Sequence, residues 1–260
     1  MINVNINSRI NQLYTIDNLT LLKSIPDNTI DLIYGDILYG TGRTFDDFKD
    51  LHYDIDSINE FYDERIKEIQ RILKPSGTMV LQMDFHISHW LRTISDNYFG
   101  YKNCVNVVQW QYSSGGSSKK KLSQKNDELI IYAKDSKLQK FNIMKERSYN
   151  RGMKPYRFKG VEEFEDENGN WYTLVNMKCI WNIPMVGRTS KERVNYNTQK
   201  PIRLMDRIRD LYTNEGDIIF DICCGSGGMV VSAKKGNRKY IACDINRNAI
   251  KITQERIDKV

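Results

Sequence analysis

A glycine-rich segment near the C-terminus has the residue types and spacing of a nucleotide-binding loop. Asp221 ends a hydrophobic run, and the chain then enters a helix-like segment. The turn between them contains Gly225, Ser226 and Gly227. Glycines let the backbone approach a ligand closely, and a helix N-terminus offers unpaired N–H groups. The next strand-like run ends 23 residues after Asp221, at Asp244, a carboxylate that can accept both hydroxyls of a ribose. The pattern predicts a cofactor that contains adenosine.

A nicotinamide dinucleotide is the obvious alternative cofactor. Its fingerprint is G-x-G-x-x-G, whereas Val230 occupies the third glycine position here. After the loop the chain has one and a half strand–helix units, too few for a second nucleotide-binding half. The pattern therefore favours a single nucleoside, and a purely structural strand–helix turn stays the other interpretation.

A second motif follows the hydrophobic run Ile30–Asp36, which continues into D-I-L-Y-G-T-G at residues 36–42. This loop resembles the D-P-P-Y or S-P-P-Y catalytic loop of the DNA amino-methyltransferases, which methylate adenine N6 or cytosine N4 from S-adenosylmethionine. The glycine loop resembles their D-x-F-x-G-x-G cofactor motif. Residues 196–211 resemble the T-Q-K-P helix that precedes that motif. Three further segments occur in the family order, at residues 24–36, 71–81 and 126–135.

The motif order resembles the permuted β type of this family, with the catalytic strand first and the cofactor loop near the end. The resemblance covers residues 12–257. It implies an α/β fold: a Rossmann-like methyltransferase sheet with helices on both faces and a small inserted target-recognition region. It divides the chain into a catalytic half at residues 1–136, a target-recognition insert at 137–193 and a cofactor-binding half at 194–260.

The resemblance also implies roles in catalysis. An exocyclic amine is a poor nucleophile because its lone pair is delocalised into the ring, so the protein must orient it and accept its protons. By resemblance, Asp36 and the Ile37 carbonyl accept those hydrogen bonds, and Tyr39 stacks on a base flipped out of duplex DNA. Ile37 and Leu38 replace the two family prolines, so packing must hold a loop that proline would pre-set. Asp36, rather than Ser, favours adenine over cytosine.

On the cofactor side, the resemblance implies that S-adenosylmethionine lies between the glycine loop and the T-Q-K-P segment. Asp221 lines the methionine and ribose, and Asp244 takes the ribose hydroxyls. Lys200 pairs with the methionine carboxylate, or is an ordinary lysine at a helix N-terminus. The implied cofactor-binding residues are Asp221, Cys223, Gly225, Ser226, Gly227, Asp244, Thr198, Gln199 and Lys200.

Alternating strand and helix signals surround both motifs and must position them. The apolar patterns predict strands at residues 30–36, 78–84, 104–112, 129–133, 217–221 and 239–244. They predict helices at residues 60–73, 86–99, 201–212, 228–235 and 246–257. The spacing predicts a parallel sheet covered on both faces. The alternation is lost between residues 137 and 193, where residues 162–175 predict a hairpin that turns at Asn168-Gly169.

Length and composition agree with one large domain, or a domain with an insert. The chain has 260 residues, 40% of them hydrophobic, and a formal charge of +6. Its five cysteines are odd in number and form no C-x-x-C pair, which favours reduced thiols in a cytoplasmic protein. No apolar run approaches the ~18 residues of a membrane span, and the N-terminus lacks a signal-peptide pattern.

The positive charge is concentrated in a basic strip, residues 117–160. This strip carries 13 Lys and Arg and four acidic residues, a net +9 that leaves the other 216 residues at −3. Tyr149, Tyr156 and Phe158 are interleaved with the charges, which suits phosphate neutralisation and base stacking. A solvated lysine-rich surface is the alternative. The predicted contacts to double-stranded DNA are Lys119, Lys120, Lys121, Lys125, Arg147, Arg151, Lys154 and Arg157.

Several alternatives stay open at this point. Asp84, His86 and His89 fall within six residues, but they fit packing or a surface turn equally well, so no metal is expected. An enzyme of the same fold could methylate RNA or a modified base. A DNA-binding homologue without turnover could instead serve as the partner subunit of an active methyltransferase. β-type relatives are often dimers, so a homodimer is also open.

Overall fold

Strands and helices alternate along most of the chain. The protein is described by a computed structural model at residues 6–39, 42, 50–51, 54–113, 119–120, 122–194 and 196–260. In chain order the elements are β1 (Gln12–Thr15), α1 (Asn18–Lys23), β2 (Ile30–Asp36), α2 (Ile55–Ile72), β3 (Leu73–Met83), α3 (Ser88–Phe99), β4 (Cys104–Gln111), β5 (Asn126–Ala133), β6 (Lys145–Tyr149), β7 (Glu163–Glu165), β8 (Trp171–Asn176), β9 (Ile180–Asn182), α4 (Ile202–Tyr212), β10 (Ile218–Asp221), α5 (Gly228–Lys235), β11 (Lys239–Asp244) and α6 (Arg247–Ile257).

Eight strands form the main sheet, in the order β1-β11-β10-β2-β3-β5-β4-β9. Neighbours from β1 to β3 are parallel, whereas β5 is antiparallel to both β3 and β4. The prediction of a parallel sheet is therefore correct for the half that carries both motifs and wrong for β5, whereas β4 and β9 at the far edge pair parallel. The reason is that no helix crosses over between β4 and β5 in the described part of the chain, so β5 returns antiparallel.

Helices cover both faces of the sheet, as expected. Along β2, Ile33 packs in the core under α1, α2 and α3, while its neighbours Leu32 and Tyr34 face the core under α4 and α5. Every residue of β2 except the last is buried. A strand covered on both faces is a continuous apolar run, which is why the sequence identified β2 at its true bounds.

A second sheet, in the order β6-β8-β7, forms within the predicted insert. The predicted hairpin is confirmed: β7 and β8 pair antiparallel, and Gly169 has a φ of +79° in the turn. The region is anchored to the main body by Asn142, whose Nδ2 donates to the carbonyls of Asp210 at 2.8 Å and Thr213 at 3.0 Å. Residues 137–193 also contain β9, an edge strand of the main sheet that the sequence analysis missed.

Other predicted boundaries are wrong for local reasons. Helix α2 begins at Ile55 rather than residue 60, because the Asp54 side chain caps its first turn. Strand β3 begins at Leu73 rather than residue 78, directly after the end of α2 at Ile72. Pro201 is the N-cap of α4 rather than its first helical residue. The unpredicted β1 and α1 have four and six residues, too short to show a periodic pattern.

The structure also shows the state of the cysteines and the length of the helices, for which the sequence predicted reduced thiols and no membrane span. All five cysteines are free thiols. Cys224 and Cys243 are buried in the core, whereas Cys179 is exposed. None of the helices in the described ranges is long and apolar enough to cross a bilayer.

Gly227, at the N-terminus of α5, is expected to tolerate no side chain. Its φ is +75°, and an added Cβ would lie 2.5 Å from the side chain of Thr253 on α6. We expect Gly227→Ala to lower the free energy of unfolding by about 2–5 kcal/mol, because a left-handed backbone costs an L-residue ~1–2 kcal/mol and overpacking adds ~1–3 kcal/mol. Urea denaturation measures the difference.

Gly216→Ala is the matched control. Gly216 has a φ of +84°, but nothing lies within 4 Å of an added Cβ. The free energy of unfolding of this variant should fall only by the cost of a left-handed backbone in an L-residue, about 1–2 kcal/mol. Equal losses in the two variants would contradict a steric role for the contact between Gly227 and Thr253.

Candidate active site

The two sequence motifs meet at one edge of the main sheet. Strands β10 and β2 are parallel neighbours, and Asp221 pairs in register with Tyr34, two residues before Asp36. The strand order reverses here, because β11 follows on one side of β10 and β3 on the other side of β2. Loops that leave such a reversal diverge and open a crevice at the carboxyl ends of the strands. A cavity of about 530 Å³ lies at this point, lined by both motifs.

The glycine loop is held in shape by the acid that ends β11. The N–H groups of Gly225 and Asn246 donate to the two carboxylate oxygens of Asp244, each at 2.9 Å. Gly225 has a φ of +49°, and an added Cβ would lie 3.1 Å from the ring of Tyr196. Arg256 donates to the Ser226 carbonyl at 2.5 Å. The loop backbone is therefore fixed from α6 and β11, and Gly225 and Ser226 line the cavity.

Asp221 is a buried acid in the cavity wall, with 2% of its surface exposed. Its carboxylate accepts a hydrogen bond from the Cys223 N–H at 3.3 Å. Burial, with the negative charges of Asp244 and Asp36, raises the pKa of Asp221 well above the usual carboxyl range. A buried carboxyl with so little compensation favours a positively charged group beside it.

The catalytic motif brings charged side chains together at the other wall. The Lys200 ammonium lies 2.5 Å from Asp36 Oδ2, and the Tyr39 hydroxyl lies 3.0 Å from Asp36 Oδ1. Burial raises the pKa of Asp36, and the nearby Lys200 charge opposes the rise. The sequence left two interpretations of Lys200, a partner of the methionine carboxylate or an ordinary lysine at a helix N-terminus. In the structure its ammonium contacts the catalytic loop, so the T-Q-K-P segment reaches both motifs.

Packing and hydrogen bonds hold the loop that lacks both family prolines. The Ile37 N–H donates to the Gln82 carbonyl at 3.2 Å, and the Ile37 side chain is buried in the core. The Tyr62 hydroxyl donates to the Leu38 carbonyl at 3.1 Å. These contacts restrain both residues that stand in the proline positions. Gly40 and Thr41 of the motif lie outside the described residues.

Most of the predicted site residues line the cavity. Gln199 does not: its Oε1 accepts from the Val194 N–H at 2.9 Å and its Nε2 donates to the Glu192 carbonyl at 2.7 Å, so it braces the preceding loop. Gly227 lies behind the loop, against α6. The predicted residues that line the cavity are Asp36, Ile37, Leu38, Tyr39, Thr198, Lys200, Asp221, Cys223, Gly225, Ser226 and Asp244.

The sequence analysis missed a polar cluster in the same wall. Arg65, 8% exposed, donates to Asn18 Oδ1 and Asp17 Oδ2 at 2.7 Å each, and its guanidinium lies 3.7 Å from the Phe61 ring centroid. Asn18 Nδ2 donates to the Ile222 carbonyl at 3.1 Å, beside the glycine loop. A signal was available: Arg65 interrupts the apolar face of α2, where a charged residue needs a buried partner.

The predicted DNA contacts lie mostly on exposed surface of the basic strip. Lys125 is half-buried, and Lys121 lies outside the described residues. The Arg147 guanidinium lies 4.7 Å from the ring centroid of Tyr172 on the small sheet. Phe158 is 63% exposed. The exposed predicted contacts are Lys119, Lys120, Arg147, Arg151, Lys154 and Arg157.

The histidines near the end of β3 make local contacts. His86 Nδ1 lies 2.7 Å from Asp84 Oδ2, and the His89 ring lies 4.7 Å from that of Trp90. Among the residues that the structure describes, no group of three or more His, Cys, Asp and Glu side chains could hold a metal ion.

The reversed strand order, the glycine loop between two acids and the D-x-x-Y loop together define a Rossmann-like methyltransferase. A family model described as DNA methylase, for N6 and N4 methyltransferases, matches residues 30–255. The chain therefore belongs to this family of DNA methyltransferases, whose methyl donor is S-adenosylmethionine.

Individual relatives agree with the family. The chain is 30% identical over 238 residues to the type II methyltransferase M.HpaI of Haemophilus parainfluenzae, covering 91% of this chain and 71% of that protein. It is 28% identical over 250 residues to the DNA adenine methyltransferase YhdJ of Escherichia coli K12, covering 93% and 81%. The fold matches the cytosine-N4-specific PvuII DNA methyltransferase with a TM-score of 0.70, at 15% identity over 94% of this chain and 85% of that one. The M1.HpyAVI–SAM complex matches with a TM-score of 0.63, at 16% identity over 95% and 98%.

The cavity residues fit S-adenosylmethionine. This cofactor carries two positive groups, an ammonium and a sulfonium, and Asp221 is a buried acid with little compensation at the cavity wall. The absent side chain at Gly225 leaves room beside Tyr196, and Asp244 places a carboxylate at the end of β11 where ribose hydroxyls can bind.

Asp221→Asn is expected to weaken binding of S-adenosylmethionine and to stabilise the cofactor-free protein. The loss of affinity should be about tenfold or more, since a hydrogen bond to a charged group is worth ~1.5–3 kcal/mol. Because the pKa of Asp221 is raised in the folded protein, the folded state binds more protons at this carboxyl than the unfolded state. The free energy of unfolding therefore falls as pH rises from the unfolded-state pKa to the folded-state pKa. The variant should therefore have a higher Tm, with a flatter dependence on pH. Calorimetry and thermal unfolding measure the two effects.

Asp244→Ala provides the contrast. It removes the acceptor for the N–H groups of Gly225 and Asn246, so both Tm and cofactor affinity should fall. Unchanged affinity in Asp221→Asn would contradict the interpretation of Asp221.

Proposed function

We propose that the protein transfers a methyl group from S-adenosylmethionine to adenine N6 at specific sites in duplex DNA, with the target base flipped out of the helix. One observation carries the proposal. Asp36 and Tyr39, with Lys200, lie in the same cavity that Asp221 and Asp244 line, so a candidate amine acceptor and a candidate cofactor site share one cavity.

Asp36 accepts a hydrogen bond from the target amine, and the Ile37 carbonyl accepts a second. Drawing the amine protons toward these acceptors localises the lone pair on nitrogen and orients it for transfer. Burial raises the pKa of Asp36, which suits it to take the proton that the methylated amine loses. The Lys200 ammonium favours the ionised form of Asp36, because its charge opposes the rise that burial causes in the pKa of that carboxyl.

The cofactor half of the cavity uses the residues of the glycine loop. S-adenosylmethionine supplies a methyl group activated by its sulfonium. Asp221 offsets the positive charge of the bound cofactor, and Asp244 accepts the ribose hydroxyls. The backbone from Gly225 to Ser226 follows the ligand closely, and Thr198 covers the methionine end.

Two findings favour adenine over cytosine. An Asp, rather than a Ser, begins the catalytic loop at position 36. A relative named a DNA adenine methyltransferase, YhdJ of Escherichia coli K12, is 28% identical over 93% of this chain. The family description covers both amines, so analysis of the product distinguishes them.

Duplex DNA fits two features of the protein: a site for the target amine inside the cavity, at Asp36, and the exposed basic strip. A base within a duplex cannot reach Asp36, so it must be flipped at a cost of a few kcal/mol. Phosphate contacts from the basic strip offset that cost. Residues of the small sheet, with Arg147 against Tyr172, contribute to target recognition. A homodimer or a second methyltransferase subunit stays a prediction.

The wild-type protein is expected to transfer labelled methyl groups from S-adenosylmethionine to duplex DNA and to yield N6-methyladenine. Asp36→Ala should lower the rate by about 100-fold or more, the usual size of general acid–base contributions, while cofactor affinity is kept. Asp56→Ala, on the exposed N-terminal turn of α2, is the control and should keep full activity. Filter-bound label and nucleoside chromatography measure rate and product.

Each alternative has its own outcome in this assay. N4-methylcytosine would contradict the adenine assignment while keeping the family. Label in RNA but not in DNA would favour the RNA alternative that the residues Ile37 and Leu38 suggest. Cofactor binding without transfer to any DNA would contradict the proposed activity and favour a binding subunit.

Neutralising Lys119, Lys120 and Lys121 together to Ala should weaken DNA binding. If all three contact phosphates, the slope of log affinity against log salt should fall by roughly 2.7, since each contact in B-DNA contributes about 0.9. A triple variant of Lys67, Lys251 and Lys259, exposed lysines outside the basic strip, is the charge-matched control. Equal salt slopes in the two variants, measured by fluorescence anisotropy, would show that the basic strip is only a solvated surface.

A further inference from the structure

We propose that Asp127 is a positioning residue for methyl transfer, which holds the catalytic loop in place through the hydroxyl of Tyr39. The inference rests on the proposed function and adds a residue outside both motifs. Asp127 lies near the start of β5, and 5% of its surface is exposed. Because β5 runs antiparallel to β3, its first residues lie at the edge where β2 and β3 end.

Both carboxylate oxygens of Asp127 accept hydrogen bonds. Oδ2 accepts from the Tyr39 hydroxyl and from Gln82 Nε2, each at 2.9 Å. Oδ1 accepts from the Tyr112 hydroxyl, also at 2.9 Å. The three donors come from the catalytic loop, from β3 and from the residue that follows β4. A single carboxylate therefore ties the loop to two strands of the sheet.

The Tyr39 hydroxyl lies between two carboxylates. It is 2.9 Å from Asp127 Oδ2 and 3.0 Å from Asp36 Oδ1, but it has only one proton to donate. When Asp36 Oδ1 accepts the target amine, the Tyr39 proton stays with Asp127. The ring that stacks on the target base is thus held by an acceptor that the substrate does not use.

A buried amide extends this arrangement to β2. Gln82 is fully buried, and its Oε1 accepts from the Tyr34 hydroxyl at 2.8 Å, which turns its Nε2 toward Asp127. Tyr34 lies two residues before Asp36 on the same strand. A fully satisfied buried polar network is rigid. It supplies the constraint that the two family prolines would otherwise give to the residues between Asp36 and Tyr39.

The charge of Asp127 gives the proposal a distinctive readout. Burial and the Asp127 charge raise the pKa of Asp36, whereas Lys200 and the Tyr39 hydroxyl lower it. The neighbouring Asp221 also interacts with the Asp36 charge. Removing the negative charge at position 127 should therefore lower the pKa of Asp36. A residue that only supported the fold would leave that titration unchanged.

The test compares Asp127→Asn with Asp127→Ala in the wild-type background. The Asn oxygen can accept from Tyr39 and Gln82, and its amide can donate to the Tyr112 oxygen, so kcat at the pH plateau should stay within about threefold of wild type. The acidic limb of the kcat profile should move to lower pH by roughly half a unit or more, because a like charge has been removed. Asp127→Ala should lower kcat about tenfold or more, with cofactor Kd unchanged, because the Tyr39 ring loses its anchor.

Tyr132→Phe is the matched control on the same strand. The Tyr132 hydroxyl donates to Asp96 Oδ1 at 2.6 Å on the α3 side, so its loss should lower Tm while kcat and the acidic limb keep their wild-type values. A wild-type acidic limb in Asp127→Asn, or a wild-type kcat in Asp127→Ala, would overturn the proposal.

A double-mutant cycle based on Tm tests the contact between Asp127 and Tyr39 without depending on methyl transfer. If the wild-type protein transfers no methyl group to DNA, the proposed function fails, but the contact between Asp127 and Tyr39 is still measurable. The Tm losses of Asp127→Ala and Tyr39→Phe should then be less than additive in the double variant, because each single variant removes the contact between Asp127 and the Tyr39 hydroxyl. Additive losses would overturn the positioning role of Asp127 independently of activity.

Discussion

The parallel pairing of β10 with β2 is the constraint on which the rest of the site depends. These strands are about 190 residues apart in the chain, yet their adjacency sets Asp221 and Asp36 in the wall of one cavity. The strand order reverses between them, so the loops that follow diverge and leave room for a ligand. Lys200 then contacts Asp36 across a sequence separation of 164 residues. The proposed cofactor site and the proposed amine acceptor are neighbours because β10 pairs with β2.

Two acids in the wall of this cavity, Asp221 and Asp36, differ in the groups that surround them. Asp221 is buried with little compensation, which destabilises the cofactor-free protein and favours a cationic ligand. Asp36 is partly buried, and Lys200 and Tyr39 oppose the rise that burial causes in its pKa. Asp221 therefore favours a positively charged ligand beside it, whereas Asp36 already has the Lys200 ammonium and the Tyr39 hydroxyl as partners. The two acids therefore differ in their partners and in their exposure, because 2% of Asp221 is exposed but 19% of the Asp36 side chain.

The catalytic loop lacks the two prolines that are typical of the family. Ile37 and Leu38 stand where prolines would limit the backbone. Their backbone groups are held instead by Gln82 and Tyr62, and Tyr39 is held by Asp127. Proline acts locally through its ring, whereas these contacts come from β3, α2 and β5. The conformation of this loop therefore depends on tertiary contacts instead of the local restraint that proline would give.

The sequence by itself determined the elements whose signals are local: the buried run of β2, the glycine loop between Asp221 and Asp244, and the hairpin at Gly169. Each depends on neighbouring residue types, so composition and order were sufficient. The tertiary structure alone decided that Lys200 meets Asp36, that Gln199 turns away from the cavity, and that Asp127 reaches Tyr39. Strand direction and pairing are long-range contacts between segments far apart in the chain. The antiparallel course of β5, which brings Asp127 to the site, therefore has no local signature.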